Sequence, residues 1–360
     1  MSLLVTQLNG KMIRLAQEVY DRHFERDPQL HMEYDDRRKN LMYEDIIYNL
    51  GYLETALEFD DKKVFVNYAV WIYQLMCNAM KELSRDRVKE QMIMHYQILE
   101  ESLVKVLEAP EAEKASRILS LAADATRREA EKFTVFSTFE AGKHTDIRRN
   151  YLTSLIKNDT RAAIEIIQQA SKDGIELDEI YLDILQEVMY EVGDLWHRNE
   201  ITVDKEHYCT SATQVALSHF YSAVFSRPRN GHKILTCCVG SELHEMGARM
   251  LSDLFEYHGW DSVYLGAAVP VDSIIGAIRE HKPDLVGFSV TMPHFLSLCH
   301  EVVWKIRQEF PHLKIAVGGR AFQTTDEIWR KWDVDVSTQN AAQLIQWANE
   351  NIVYRGVGRQ

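Results

Sequence analysis

The spacing of apolar side chains predicts a long helical region in the first part of the chain. Apolar residues recur at intervals of three and four in five segments, 4–26, 41–59, 62–83, 86–108 and about 110–131. A polar stretch over 27–40 separates the first two, and Pro110 suits the first position of the last helix. We therefore predict an all-helical domain over residues 1–140, ending in the segment Phe139–Lys143.

A second group of four helical segments follows, at 145–157, 159–172, 177–198 and 202–226. The third has the clearest apolar repeat. Thr202 suits the N-cap of the fourth, and Asp204 and Glu206 fall in its first turn, where acidic side chains are favourable. Helices of this length with short connections predict a four-helix bundle over residues 145–226.

The pattern changes after the segment Arg227–Gly231, where short apolar runs begin to alternate with helical stretches. The predicted strands are 233–239, 261–265, 284–290, 313–318 and 333–337, and the predicted helices are about 244–258, 271–281, 294–309, 323–331 and 340–352. Continuous apolar strands that alternate with helices indicate a parallel sheet covered on both faces. We expect a five-stranded Rossmann-like, flavodoxin-like domain over residues 232–355. The predicted fold class is therefore α + α/β.

Glycines end several of these predicted strands. Gly240, Gly266 and the pair Gly318-Gly319 follow strands, and Gly287 lies near the end of another. In parallel sheets ligands bind beyond the carboxyl ends of the strands, where glycine lets backbone approach a ligand closely. Glycines at four strands indicate a large ligand along this edge.

Composition narrows the classes of function. The formal net charge is −13, and no basic stripe suited to phosphate contacts is present, so direct DNA binding is not expected. The five cysteines lack zinc-site spacing and suit reduced, buried thiols. Neither a long apolar run nor a signal-peptide pattern occurs, so we expect a cytosolic protein without membrane contact.

His244 is the first candidate for ligand chemistry. It follows the first predicted strand, and Glu242 stands two residues earlier. A carboxylate that holds one imidazole nitrogen fixes the tautomer and strengthens the other nitrogen as a metal ligand. Gly247 allows a bulky ligand to come close. By itself this E-x-H-x-x-G pattern is short, and a solvated loop histidine is the alternative.

In its α/β context, the pattern resembles the D-x-H-x-x-G signature of cobalamin-binding domains. Ser289-Val290-Thr291 after the third strand and Gly318-Gly319 after the fourth extend the resemblance. The resemblance implies that His244 is the lower axial cobalt ligand, base-off, with Glu242 as its partner. It also implies a pocket for the displaced nucleotide tail, with lining residues Ser289, Thr291, Gly318 and Gly319. Glu242 replaces the commoner Asp of the family, and Thr291 the commoner Leu.

The helical bundle resembles the cap of adenosylcobalamin photoreceptors of the CarH and AerR kind. Trp196, nine further residues and then Glu206-His207 match their W-x9-E-H pattern. The resemblance implies that Trp196, Glu206 and His207 contact the 5′-deoxyadenosyl group. It also implies that His197 takes the upper cobalt position after illumination. The alternatives are a tryptophan that closes a helix end and solvated histidines.

The resemblance covers about residues 145–352 and leaves the N-terminal region without a family. Aromatic side chains there have helical spacing, for which core packing is the ordinary explanation, and a second ligand is the alternative. His23, His31 and His95 lack metal-site spacing. We expect a module that binds an unidentified regulatory protein or a second copy of the chain.

Three hypotheses follow for the whole protein. The first is a non-enzymatic light sensor that uses adenosylcobalamin photolysis to switch a protein–protein interaction. The second is a corrinoid methyl carrier of a methyltransferase system, for which the W-x9-E-H segment is unfavourable. The third is a cobalamin-independent α/β interaction scaffold.

Overall fold

The computed structural model describes residues 10–133 and 139–352. Contacts divide the chain into two compact units. The N-terminal unit comprises residues 1–134 and 324–328, and the C-terminal unit comprises 135–323 and 329–360. The predicted helical bundle and the predicted sheet therefore belong to one unit. None of the described helices combines the length and the apolar character needed to cross a bilayer.

The N-terminal unit is helical, as predicted. Its helices are α1 (Gly10–Arg26), α2 (Leu30–Glu33), α3 (Asp36–Glu58), α4 (Lys62–Ala79), α5 (Arg85–Leu103) and α6 (Ala109–Lys132). The polar stretch over 27–40 holds α2 and the first turn of α3, so the predicted start of a helix near residue 41 is too late. The Asp35 side chain accepts a hydrogen bond from the Arg38 backbone N–H at 2.8 Å, which caps α3 five residues earlier than its apolar pattern begins.

Aromatic side chains fill the interior of the N-terminal unit. Tyr52 and Tyr68 stack with their ring centroids 3.9 Å apart, and Phe65 and Tyr73 are fully buried. These positions pack in the core. A buried pair, His23 and His95, is joined by a 2.9 Å contact between ring nitrogens.

The four-helix bundle, called the cap below, differs from its prediction in detail. It consists of α7 (Thr145–Ile156), α8 (Thr160–Lys172), α9 (Leu177–Glu179) continued by a π-helical turn (Ile180–Leu185) and by α10 (Gln186–His197), then α11 (Val203–Ser218) and α12 (Tyr221–Val224). The fourth helix therefore ends at Ser218 and restarts as one short turn.

Thr202 holds the N-cap position of α11, but its side chain makes no capping hydrogen bond to the backbone. Its hydroxyl instead hydrogen-bonds the Asp204 carboxylate, which lowers the pKa of Asp204. The predicted N-cap position of Thr202 is therefore confirmed, without the usual capping hydrogen bond, and Asp204 and Glu206 lie in the first turn as predicted.

The segment 139–143 belongs to the C-terminal unit and packs on the cap, whereas the sequence pattern assigned it to the end of the helical domain. Phe139 is buried in the cap core, with the Arg148 guanidinium 5.6 Å from its ring centre. Arg148 also donates a hydrogen bond to the Ala141 carbonyl at 2.6 Å.

The C-terminal part contains the predicted five-stranded parallel sheet. Its strands are β1 (Lys233–Cys238), β2 (Asp261–Tyr264), β3 (Leu285–Ser289), β4 (Lys314–Gly318) and β5 (Val336–Ser337). The strand order β2-β1-β3-β4-β5 is the flavodoxin-like order, so the predicted fold class is confirmed. The direction of winding reverses between β1 and β3, and the loops after these two strands open a crevice at the carboxyl edge.

The helices that cover the sheet are α13 (Met246–Tyr257), α14 (Val271–His281), α15 (Leu296–Glu309), α16 (Arg320–Gln323) and α17 (Ala341–Asn351). Single 3-10 turns lie at Pro293–Phe295 and Ile328–Lys331. The predicted helix over 323–331 is wrong. Glu327 has a left-handed backbone with φ of 51°, which interrupts the helix between α16 and the second 3-10 turn.

Gly287 lies in the middle of β3 and not near its end. A Cβ atom at this position would come 3.4 Å from the Leu251 side chain of α13. Close packing of α13 on the sheet therefore explains this glycine, and it carries no information about a ligand.

Candidate functional site

The loop after β1 holds Glu242 and His244 as a hydrogen-bonded pair. His244 Nδ1 lies 2.5 Å from Glu242 Oε1. The Glu242 side chain is 1% exposed, whereas that of His244 is 58% exposed. The carboxylate engages Nδ1, which leaves Nε2 as the nitrogen available to a metal.

Backbone N–H groups hold the Glu242 carboxylate in place. Its Oε2 accepts from Thr291 N at 3.0 Å and Met292 N at 2.9 Å, and its Oε1 accepts from His244 N at 3.1 Å. Two of these donors belong to the loop after β3, so the carboxylate ties the two loops of the crevice together.

The pKa values of Glu242 and His244 are shifted in opposite directions. Burial by itself raises the pKa of Glu242, but the hydrogen bond from His244 and the backbone N–H groups outweigh it and lower the pKa overall. The hydrogen bond to Glu242 raises the pKa of His244, against the effect of burial. Glu242 is therefore an ionised acceptor at neutral pH, the form that orients an imidazole ligand.

Small residues surround this pair at the carboxyl edge of the sheet. A Cβ atom on Gly247 would lie 3.7 Å from Ser289 Oγ, so these two positions face each other at close range. The Ser241 hydroxyl is buried without a hydrogen-bond partner among the described residues. A ligand with polar groups would satisfy it.

Gly318 ends β4 and Gly319 follows it, and Gly319 has a structural reason of its own. Its φ is +98°, and a Cβ atom there would lie 2.8 Å from Val290 N. The Val290 N–H donates to the Gly318 carbonyl, and the Val290 carbonyl accepts from Ala321 N. This glycine is therefore needed to join the ends of β3 and β4.

Of the predicted cap residues, Glu206 lies within electrostatic range of the His244 loop. The negative charge of Glu206 contributes to the raised pKa of His244, which brings α11 and this loop to the same crevice. Glu206 accepts hydrogen bonds from Thr210 Oγ1 at 3.1 Å and lies 2.7 Å from His207 Nδ1. The His207 side chain is 75% exposed.

Trp196 and His197 end α10, and both are half-buried. Only the short connection 198–202 separates them from α11, which begins with the turn that holds Glu206. The elements that carry the four predicted cap residues are therefore adjacent.

Sequence reasoning missed the residues that fasten the cap beside His244. Glu245 accepts hydrogen bonds from Gln214 of α11 at 3.1 Å and from the Tyr264 hydroxyl at 3.0 Å. Arg249 of α13 donates to the Tyr221 hydroxyl at 3.2 Å. Glu245 adjoins His244 in the sequence, but nothing local indicated its distant partners.

His294 was also missed. It lies in the 3-10 turn after β3, where burial lowers its pKa to about 4, and the charges of Glu242 and His244 both act on it. His294 is therefore a neutral imidazole close to the Glu242–His244 pair.

A separate cluster in the cap brings His144, Glu179 and Asp183 within 4.8 Å of one another. The Lys143 ammonium lies 2.5 Å from Glu179 and 3.7 Å from Asp183. This cation already forms ion pairs with both carboxylates.

Two family models match the C-terminal unit, and both are described as B12-binding domains. One matches residues 147–221, which form most of the cap, and the other matches residues 232–341, which form the sheet domain. The matched segments contain the predicted residues of both sides of the crevice.

Curated relatives include regulators and a corrinoid protein. The HTH-type transcriptional repressor CarH of Myxococcus xanthus is 26% identical over 156 residues, which are 43% of this chain and 51% of the repressor. The chain thus matches about half the length of this relative, and 54% of the related repressor CarA at 24% identity. A corrinoid protein of Desulfitobacterium hafniense is 19% identical over 204 residues, which are 55% of this chain and 93% of that protein.

Among solved structures, the monomethylamine corrinoid protein of Methanosarcina barkeri has a TM-score of 0.52 at 19% identity. The match covers 57% of this chain and 98% of that protein, and it supports the fold. The family models identify residues 232–341 and 147–221 as B12-binding domains, and together with the relatives they support the chain as a cobalamin-binding protein.

Proposed function

We propose that the chain is a sensory protein that binds adenosylcobalamin base-off through His244 and responds to light. The observation that carries this proposal is the Glu242–His244 pair at the crevice, with Nδ1 held and Nε2 available. The cap over residues 145–226 would cover the upper face of the corrinoid, and the domain over 232–355 would hold its lower face.

The residues of the crevice fit such a ligand. Ser241 has a buried hydroxyl in need of a partner, and Gly247 and Gly318 add no side chain to the edge of the sheet. We propose that Ser289, Thr291, Gly318 and Gly319 line the pocket of the nucleotide tail. Bound adenosylcobalamin would supply a cobalt–carbon bond that visible light breaks.

The cap residues have distinct proposed roles. Trp196 would cover the adenosyl group with its ring and exclude water from it. Glu206 accepts hydrogen bonds in the first turn of α11, so it is suited to the ribose hydroxyls, with His207 beside it. After loss of the adenosyl group, His197 would supply an imidazole to the upper face of cobalt.

The output would be a change in protein association. Loss of the adenosyl group removes the surface on which Trp196 packs, so the cap would move. We propose that the helical domain over residues 1–140 conveys this change to a regulatory protein or to a second copy of the chain. The similarity to CarH supports a regulatory role, although that relative is named as an HTH-type repressor and the N-terminal unit of this chain is a bundle of helices that the match does not identify.

A methyl-carrying corrinoid protein is the second candidate. The relative from Desulfitobacterium hafniense, of which 93% is covered, favours it. Such a carrier would share His244 but would need only a small apolar cover over a methyl group. Trp196 together with Glu206 and His207 favours the larger adenosyl group.

The test is an absorption spectrum of the purified chain loaded with adenosylcobalamin in the dark and recorded again after green illumination. We expect a His-on spectrum in the dark and a stable bis-histidine spectrum after light. Binding without a protein-specific light product, together with methyl transfer from methylcobalamin, would favour the carrier. Absence of binding would leave an α/β interaction scaffold.

Substitution of His244 tests the central residue. We expect His244→Ala to lower the affinity for cobalamin at least tenfold and to abolish the His-on spectrum, because the lower nitrogen ligand is lost. His219→Ala is the matched control, since the side chain of this exposed cap histidine contacts Gln168 at 3.1 Å, away from the crevice loops. Equal affinity of the wild-type protein and His244→Ala would contradict the assignment.

A further inference from the structure

One edge of the cap is fixed to the sheet domain by a buried interface. The Tyr181 hydroxyl, in the π-helical turn, donates to Asp253 of α13 at 3.2 Å, and both residues are buried. Apolar side chains of the cap and of α13 and α17 form one continuous core, to which Ile184, Leu254 and Leu344 belong. This edge is suited to remain closed when the opposite edge moves.

The opposite edge is held by a looser contact. Arg320 follows Gly318-Gly319 directly and begins α16. Its Nη2 lies 3.9 Å from Asp194 Oδ1 of α10, and its guanidinium carbon lies 5.7 Å from the centre of the Tyr190 ring. The Arg320 and Asp194 side chains are 58% and 37% exposed. An exposed ion pair at this distance forms and breaks readily.

Asp194 precedes His197 on α10 and also lies near Arg320. The two residues are three positions apart on α10, so they lie on neighbouring turns of one helix face. Burial raises the pKa of Asp194 overall, while Arg320, Arg198 and His197 each oppose this rise. The carboxylate is therefore within electrostatic range of the imidazole that the proposed function assigns to the upper face of cobalt.

We propose that Asp194 is the positioning carboxylate of His197 and that Arg320 controls its availability. This inference rests on the proposed function. With the cap closed, Arg320 shares the Asp194 carboxylate. When the cap edge lifts, the ion pair breaks, and the carboxylate is left to accept a hydrogen bond from one nitrogen of His197, which orients the other nitrogen toward cobalt.

The chemistry repeats that of the lower side of the crevice. There, Glu242 holds Nδ1 of His244 and leaves Nε2 available. The difference is that, within the described part of the chain, Glu242 is bonded by backbone N–H groups and His244 and forms no salt bridge with Lys or Arg. The lower pair therefore has no such competitor there, whereas the upper pair depends on the position of Arg320.

The first test uses the ligand-free chain. Nitrogen NMR at about pH 8, where a free imidazole is neutral, reports which ring nitrogen of His197 carries the proton. We expect Arg320→Ala to increase the preference of His197 for a single tautomer and Asp194→Asn to decrease it. An unchanged tautomer ratio in both variants would overturn the Asp194–His197 pairing.

The second test uses the loaded chain under illumination. Asp194→Asn should slow the appearance of the bis-histidine spectrum about tenfold or more, the usual effect of losing a carboxylate behind a histidine ligand. Arg320→Ala should accelerate it several-fold. Glu187→Gln is the matched control, because Glu187 also lies on α10 and makes a 3.9 Å ion pair, with Arg148. A wild-type rate in Asp194→Asn would overturn the proposal.

The two tests separate this inference from the proposed function. If the wild-type chain bound cobalamin but gave no bis-histidine product, the light-sensor function would fail and the role of Arg320 in it would fall with it. The NMR measurement would still decide the Asp194–His197 pairing, because it needs neither cobalamin nor light.

Discussion

At the scale of single residues, Glu242 is the side chain on which the candidate site depends most. It is a buried carboxylate that accepts from three backbone N–H groups and from His244. Glu242→Gln would turn an –NH2 group toward donors that need acceptors. We expect the free energy of unfolding to fall by about 1–3 kcal/mol and the affinity for cobalamin to fall about 10–100-fold.

Urea unfolding and a cobalamin titration measure these two effects. The control is Glu280→Gln, an exposed position at the end of α14, which should change neither quantity. A variant Glu242→Gln with wild-type stability would contradict the role of the carboxylate in joining the loops after β1 and β3.

The buried carboxyl group of Asp253 should make the free energy of unfolding of the chain depend on pH. Burial raises its pKa to about 6 in the folded chain, against an ordinary value of 3.8. Between these values the folded chain keeps the proton while the unfolded chain releases it. The contribution of Asp253 to the free energy of unfolding therefore falls by up to about 3 kcal/mol as pH rises through this window.

Asp253→Asn removes this titration and keeps an acceptor for the Tyr181 hydroxyl. We expect the variant to gain stability relative to the wild-type chain from about pH 4 to pH 7, as measured by urea unfolding at several pH values. Asp272→Asn is the control, because that side chain is 96% exposed. Parallel pH profiles for Asp253→Asn and the wild-type chain would refute the assignment.

The Glu242–His244 pair was predictable because its members stand two positions apart in a loop after a strand. The sequence could not predict the contributions of Met292, His294 and Arg320. These residues follow β3 and β4, and only the parallel pairing of those strands with β1 brings their loops to the same edge as Glu242. A sequence pattern can indicate side chains that interact within one loop. Residues that interact across the crevice are brought together by the register of the sheet, which the pattern does not show.

At the scale of elements, the junction between the ends of β3 and β4 depends on Gly319. Its positive φ and its proximity to the Val290 backbone leave no room for a side chain. We expect Gly319→Ala to lower the free energy of unfolding by at least about 2 kcal/mol. Gly276→Ala is the matched control, since a methyl group at this position of α14 meets nothing within 4 Å and should stabilise the helix slightly.

Thermal unfolding of the two glycine variants gives the comparison. Equal melting temperatures would mean that the backbone around Val290 shifts at little cost, and the tight junction would then not be required. The same junction positions Arg320, so Gly319→Ala should also alter the upper edge of the crevice.

Helices and strands were predicted where the apolar period was long and regular. The errors lie where single side chains decide an end, such as Asp35 at the start of α3 and Glu327 between α16 and the next turn. The π-helical turn at Ile180–Leu185 was also missed, because its one inserted residue barely disturbs an apolar repeat of three and four. Such details depend on tertiary contacts of the cap with α13.

At the scale of the whole molecule, sequence patterns predicted the order of helical region, cap and parallel sheet, but not the division into two compact units. The cap and the sheet form one unit because apolar faces of both enclose a common core. Amphipathic patterns show that a face is buried, and they do not show against which element.

This division predicts where cobalamin stabilises the protein. Six of the seven tryptophans lie in the C-terminal unit, and Trp71 is the exception. In a Trp71→Phe chain, tryptophan fluorescence therefore reports the C-terminal unit alone. A ligand at 100 times its dissociation constant adds about 2.7 kcal/mol to the unit that binds it.

We expect cobalamin to raise the melting temperature reported by tryptophan in Trp71→Phe, and the added substitution His244→Ala to abolish most of the increase. Circular dichroism at 222 nm reports both units. The melting temperature of the part of this signal that comes from the N-terminal helices should rise less than the melting temperature reported by tryptophan. An equal shift of both signals would mean that the two units unfold together. The free energy of cobalamin binding would then stabilise the N-terminal helices as well. A substitution in the crevice that weakens cobalamin binding would therefore lower the stability of the helical domain by the same amount.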